Sequence, residues 1–198
     1  MALRVWLPLT GTLENKGISN VVPTIVSGNS WESSGKIGAG SLKITKLQTI
    51  FPSTSIMSGV KEMSYCYWIK VNTAWSQNWL DGIRWYSTDG SSPYISRQEF
   101  YNNCTTIGTW YKSNSTGSIF GKSFTPGIWT HLAGTYNYNT GEVKFYIDGI
   151  CVGTTTDLDT THYCRGDFYI GEDGVDINMN DLRIYNHCLS PAEVHEIS

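Results

Sequence analysis

Apolar and polar side chains alternate with a period of two along most of this chain, the pattern of strands that bury one face. Leu3, Val5 and Leu7 alternate with Arg4 and Trp6 until Pro8 and Gly11 break the run. The stretch from Thr10 to Gly40 is rich in Gly, Asn and Ser and holds one short β-like run, Val21 to Val26. Ser41 to Thr45 alternates again, and the aromatic, β-branched run Ser64 to Val71 predicts a long central strand. Trp129 to Tyr138 alternates, Asn139-Thr140-Gly141 turns the chain, and Glu142 to Ile147 sets Val143, Phe145 and Ile147 against Glu142, Lys144 and Tyr146. Asp148-Gly149 then makes a two-residue turn into Ile150-Cys151-Val152, so this segment predicts a three-stranded antiparallel meander. Phe168 to Gly171 and Met179 to Tyr185 predict two more strands.

The period changes only near the end. Ser190 can cap a helix, Pro191 suits its first position, Glu193 completes a capping box, and Leu189 with Val194 forms a hydrophobic staple. Between Asn72 and Lys122 the alternation is irregular, and Asp81-Gly82 and Asp89-Gly90 are expected hairpin turns. Strands without intervening helices exclude a parallel α/β sheet and predict an all-β, antiparallel sandwich or barrel with one short C-terminal helix.

The 198 residues are 40% hydrophobic and 16% charged, enough apolar material for a sizeable core in one domain spanning residues 1–198. A net charge of −3 without a basic run removes the counterion-displacing footprint that nucleic-acid binding needs. No apolar stretch approaches the roughly 20 residues of a membrane-spanning helix, so membrane insertion is not expected. Met1 to Pro8 lacks the apolar core and cleavage site of a signal peptide, and synthesis in the cytoplasm is the expectation. Five cysteines, odd in number and without a C-x-x-C pair, argue against a disulfide framework and a thiolate zinc site. Cys66 and Cys151 fall inside strand-like runs and read as small core hydrophobes.

Trp129-Thr130-His131-Leu132-Ala133-Gly134-Thr135-Tyr136, followed by Val143-Lys144-Phe145-Tyr146-Ile147-Asp148-Gly149, resembles the laminin-G-like branch of the concanavalin A-like lectin/glucanase superfamily. Asp181-Leu182-Arg183-Ile184-Tyr185-Asn186 with Leu189 to Val194 is similar to that family's closing strand and helix. Gly38 to Leu42, Leu7-Pro8-Leu9 and Asn15 to Asn20 resemble its opening segments, leaving only about Asn72 to Lys122 uncovered. The resemblance implies a jelly-roll sandwich of two antiparallel sheets, often an accessory module of a longer chain that binds glycans or proteins. It also implies a structural Ca²⁺ between first loop and closing strand, whose matching positions here are Asn15 and Asp181.

Catalysis finds little support in the residues. Glucanases of the superfamily carry a strand motif close to E-x-D-x-x-E, because two acids must flank the glycosidic bond. The nearest match, Glu172-Asp173-Gly174-Val175-Asp176, has the wrong spacing and reads as a solvated acidic turn. His131 reads as structural, and neither a G-x-S-x-G elbow nor an H-E-x-x-H motif is present. For ligand contact the candidates are aromatics of the irregular region, since sugar rings stack on Trp and Tyr while hydroxyls pair with Asn, Asp and Arg. They are Trp75, Trp79, Trp85, Tyr86, Trp110 and Tyr111, with Asn78, Asp81, Arg84 and Arg97 as polar partners. Trp6, Trp68 and Trp129 read as packing residues.

Two roles lead on this basis, with an unusual glycoside hydrolase as the third and disfavoured reading. One is a non-catalytic carbohydrate-binding or adhesion module recognising a cell-surface glycan or polysaccharide. Similarity to laminin-G-like modules of bacteriophage or prophage structural proteins places it among the other subunits or domains of a virion assembly. The other is a structural or protein-interaction domain with no glycan site.

Overall fold

The computed structural model describes residues 2–24, 29–46, 48–51, 57, 59–73, 80–86, 94–101, 106–112, 116–161 and 167–198. Its eight-stranded sheet runs in the order β12 (Ile150–Thr155), β11 (Glu142–Ile147), β10 (Thr130–Asn137), β5 (Glu62–Val71), β14 (Ile177–Tyr185), β3 (Ser41–Ile44), β2 (Asn29–Glu32). A further strand, β1 (Leu3–Leu7), pairs with the second half of β14. The facing six-stranded sheet has the order β4 (Gln48–Phe51), β13 (Phe168–Ile170), β6 (Leu80–Tyr86), β7 (Tyr94–Tyr101), β8 (Thr106–Lys112), β9 (Thr116–Ser123). All pairings are antiparallel.

The core lies between the two sheets. Period-two alternation on β5 turns Met63, Tyr65, Tyr67, Ile69 and Val71 inward, where Ile83, Trp85, Phe100, Ile107 and Phe168 of the other sheet meet them. Phenols carried into such a core need partners. Tyr136 supplies them across the sandwich, its hydroxyl 2.5 Å from the Tyr65 hydroxyl and 2.7 Å from Thr109 Oγ1 of β8. Tyr67 donates to Gln98 Oε1 in the same way.

The outer face of the eight-stranded sheet carries a smaller apolar cluster, Cys66, Ala133, Tyr146 and Tyr185, covered by Leu189 and Val194 of the C-terminal segment. Helix α1 (Pro191–Glu196) begins with the expected capping box, Ser190 and Glu193 each receiving the other's backbone N–H. The meander also forms as read. Asp148 (φ 47) and Gly149 (φ 76) both adopt the left-handed conformation of a type I′ hairpin turn. His131 lies buried on this meander against the Trp68 ring, and burial lowers its pKa to about 4.

Four sequence readings need correction. Asp81-Gly82 is no hairpin turn but a bulge inside β6, where a side chain on Gly82 would meet Phe100, Tyr67 and Ile69 at 3.1 to 3.5 Å. Asn29–Glu32 is an edge strand within the stretch read as loop, while residues 21–24 of the expected run Val21 to Val26 are not strand. Cys151 is exposed because β12 is the sheet's edge. Trp6 and Trp129 are half-buried, under Arg183 and Lys70 respectively, rather than in the core. Among the described residues no helix is long and apolar enough to cross a membrane.

Candidate functional site on the six-stranded sheet

While β6, β7 and β8 turn Ile83, Trp85, Gln98, Phe100 and Thr109 inward, their alternate positions build a charged stripe on the outer face. The Gly82 bulge keeps Asp81 and Arg84 on that face together, three residues apart. Asp81 stands opposite Glu99 and Arg84 opposite Arg97 in the β6–β7 register. From the loop after β13, Glu172 reaches back. Its carboxylate accepts the Asp81 N–H at 3.0 Å and lies 3.3 Å from Arg84 Nη2. Arg84 Nη1 lies 3.4 Å from Asp81 Oδ2, and Arg97 bridges Asp81 (4.0 Å) and Glu99. The Tyr101 hydroxyl donates to Glu99.

This stripe has a buried floor and an open rim. Asp81, Arg84 and Glu99 are 1%, 4% and 0% exposed. Arg97, Tyr101 and Glu172 are half-buried, as is Tyr169, which pairs with Arg84 in the β13–β6 register and donates to Asp167 at 3.1 Å. Burial pushes the Asp81 carboxyl up to about 8; Arg97 and Arg84 pull it down, and Glu99 and Glu172 push it further up. Burial raises Glu99 as well, against its bonds to Tyr101 and Arg97. Three carboxyl groups meet two guanidiniums here, with Glu172 paired to Arg84 and Glu99 to Arg97, so the geometry of the floor is fixed before any ligand arrives.

Of the sequence candidates, Asp81 and Arg84 come together on this face, joined by Arg97. Trp85 and Tyr111 do not: each is 2% exposed and inside the core, Trp85 edge-on to Phe168 at 5.1 Å. Both sit on the inward phase of their strands, so neither offers a face to a ligand. Trp110 pairs with Arg97 in the β7–β8 register and Tyr86 with Tyr94, but the side chains of Trp110 and Tyr86 lie outside the described residues. Trp75, Asn78 and Trp79 also lie outside them. Glu99, Tyr101 and Tyr169 were missed, and Glu172, read as part of a solvated acidic turn, is instead half-buried against Asp81 and Arg84. Arg97, Glu99 and Tyr101 form a period-two polar stripe visible in the sequence, whereas Glu172 joins through a fold contact 91 residues distant from Asp81.

Asn15 and Asp181 do not fit a calcium ion. Asn15 is consumed in shaping the first loop, its Oδ1 accepting the Trp6 and Gly17 N–H groups and its Nδ2 donating to Ser19 O at 2.9 Å. Asp181 is neutralised by Arg183, with contacts of 2.9 and 3.2 Å, and accepts Trp6 Nε1 at 2.7 Å. Among the described residues no three His, Cys, Asp or Glu side chains gather in a metal-holding group.

A sequence model described as "Concanavalin A-like lectin/glucanases superfamily" matches residues 46–195. Among solved structures, the binding domain of Paraclostridial Mosquitocidal Protein 1 superposes with a TM-score of 0.72 at 14% identity, over 99% of this chain and 51% of that one. The Botulinum neurotoxin serotype D ligand binding domain in complex with N-acetylneuraminic acid gives 0.73 at 13% identity, over 99% and 50%. The Botulinum Neurotoxin Type G Receptor Binding Domain gives 0.70 at 15% identity, over 100% and 51%. The chain thus spans about half the length of these structures. No curated protein matches it.

Proposed function

The chain belongs to the concanavalin A-like lectin/glucanase superfamily, and from that premise we propose that it is a non-catalytic carbohydrate-binding module. The observation that carries this reading is the rim of Arg97, Tyr101, Tyr169 and Glu172 on a buried ionic floor. A sugar asks for fixed donors and acceptors beside a phenol ring, and a rim held in place by the buried groups beneath it supplies them without reorganisation. The likeness to toxin binding domains, one solved with N-acetylneuraminic acid, supports the same class of ligand. A glycosidase needs two carboxyls about 5–10 Å apart with the glycosidic bond between them. Asp81 and Glu99, at 1% and 0% exposure, leave no room for a bond to enter, which supports binding without turnover. A cell-surface polysaccharide is the proposed ligand and the exterior of a virion the proposed setting; the sequence resemblance alone supports that setting.

Glycan-array binding of the wild type, Arg97→Ala and Tyr169→Ala tests the site, with circular dichroism confirming that each variant is folded. Specific binding that falls tenfold or more in both folded variants is the expected result, about 1.4 kcal/mol or more per side chain. Failure of the wild type to bind any glycan would leave the structural or protein-interaction role. Soluble sugar released from a polysaccharide panel would make the chain an enzyme and overturn the reading.

A further inference from the structure

Strand β14 forks one edge of the eight-stranded sheet. Its first half, Ile177 to Met179, pairs with β3, and its second half, Leu182 to Tyr185, pairs with β1. Asp181, at φ 53, marks the fork, and the register against β5 slips between Asn180 and Arg183. Leu9, just beyond β1, is also left-handed at φ 56. A left-handed conformation is unfavourable for a non-glycine residue, so two at one junction mark a backbone held in place by its surroundings.

Strands that diverge leave backbone carbonyls without ladder partners. Three carbonyls converge at the fork, one of them, Pro8 O, also accepting the Asp181 N–H at 3.0 Å, and one side chain meets all three. Asn180 Nδ2 lies 2.8 Å from Pro8 O, 3.1 Å from Gly40 O and 3.4 Å from Leu9 O. Its Oδ1 accepts the Ile37 N–H at 2.7 Å, and the residue is 0% exposed. An amide carries two N–H groups, so two protons serve three acceptors. The loops meet backbone to backbone here: a Cβ on Gly40 would stand 3.0 Å from Glu32 O and 3.3 Å from the Thr10 carbonyl.

Carbonyl oxygens converging from separate loops are the ligand type of a hard divalent cation. At this fork the positive end of an amide faces them, and the adjacent Asp181 carboxylate is balanced by Arg183. We propose that the Asn180 amide takes the place of a hard cation at the fork. The wild-type junction then closes without metal, and the single change Asn180→Asp turns the cradle into a calcium site. The substitution keeps side-chain size but sets a carboxylate oxygen where the amide nitrogen stands. Three carbonyls then face an anion, and a cation bound among them relieves the repulsion.

The test is thermal unfolding and calorimetric titration with CaCl₂, each with an EDTA control, on the wild type, Asn180→Asp and Asn180→Ala. The wild type is expected to show no calcium heat and the same Tm in CaCl₂ and EDTA. Asn180→Asp is expected to melt lower in EDTA and to recover in CaCl₂, by roughly 5–10 °C at 100 times Kd for a chain of this size. Asn180→Ala, which removes the donors without adding an anion, is expected to melt lower with no calcium response. Saturable calcium binding by the wild type would overturn the proposal. So would an Asn180→Asp protein that ignores calcium, or one that fails to fold even when purified in CaCl₂.

Discussion

Replacing Tyr136 by Phe removes one oxygen atom from the centre of the sandwich. That hydroxyl sits 2.5 Å from the Tyr65 hydroxyl and 2.7 Å from Thr109 Oγ1, and through Thr109 it ties β10 of one sheet to β8 of the other. The ring stays, so no cavity opens and almost no apolar area changes. The loss is therefore polar, with two buried hydroxyls left short of a partner. A buried group stripped of its hydrogen bond costs about 1–3 kcal/mol. For a chain of this size each kcal/mol moves the midpoint by roughly 2–4 °C, so a Tm fall of about 3–10 °C is expected. Urea unfolding checks it: the midpoint should drop while the m-value stays, because the surface exposed on unfolding is unchanged. Thr109→Val should cost a similar amount on its own. The double variant Tyr136→Phe/Thr109→Val should cost less than the sum by about 0.5 kcal/mol or more, because neither atom then remains to be unsatisfied. A Tyr136→Phe protein as stable as the wild type, or a strictly additive double variant, would refute the bridge.

Three further outcomes follow from the same structure. Gly134→Ala puts a Cβ 2.9 Å from the Tyr136 ring and should destabilise by about 1–3 kcal/mol in urea melts, the range for an overpacked core. Ser190→Ala removes the α1 capping box and should lower stability by about 1 kcal/mol, with faster hydrogen exchange confined to the C-terminal turn and its contacts. From these two groups, His131 and Asp81, together, stability should stay flat between pH 4 and 6.5 and fall above it. His131, held near 4 against an ordinary 6.5, takes up a proton on unfolding, so its contribution is lost as pH drops from 6.5 towards 4. Asp81, raised from 3.8 to about 8, releases one on unfolding, so its contribution is lost as pH rises from about 4 to 8 and offsets the His131 slope below pH 6.5. Chemical denaturation from pH 4 to 8.5 should show this profile; His131→Gln should make stability fall with pH from 4 onwards, and Asp81→Asn should make it rise to pH 6.5 and level off above. An unchanged slope in either variant would sink that assignment.

Much of the fold was legible because it is written locally. The type I′ turn at Asp148-Gly149 needs two residues, the α1 cap needs four, and the alternation of β5 needs only its own ten. The readings that failed depended on neighbours. Gly82 looks the same in sequence whether it turns a hairpin or bulges a strand, and what decides is Phe100 and Tyr67 standing where a side chain would go. Cys151 and Cys66 both lie in β-like runs, yet one strand is the sheet's edge and the other its centre.

The candidate site divides along the same line. Asp81 and Arg84 were singled out as polar residues of the irregular region, and the tertiary structure made them a buried ionic floor. Trp85 and Tyr111 were singled out beside them, and the phase of their strands turned both inward. By itself the sequence determined most strands of the eight-stranded sheet, the capped helix and the superfamily, because short-range periodicity and turn chemistry set them. Only the tertiary structure decided which side chains share a face. Pairings such as Asp81 with Glu172 and Asn180 with Pro8 join segments 91 and 172 residues apart, and the long-range register that joins them is set by the packing of the whole sandwich.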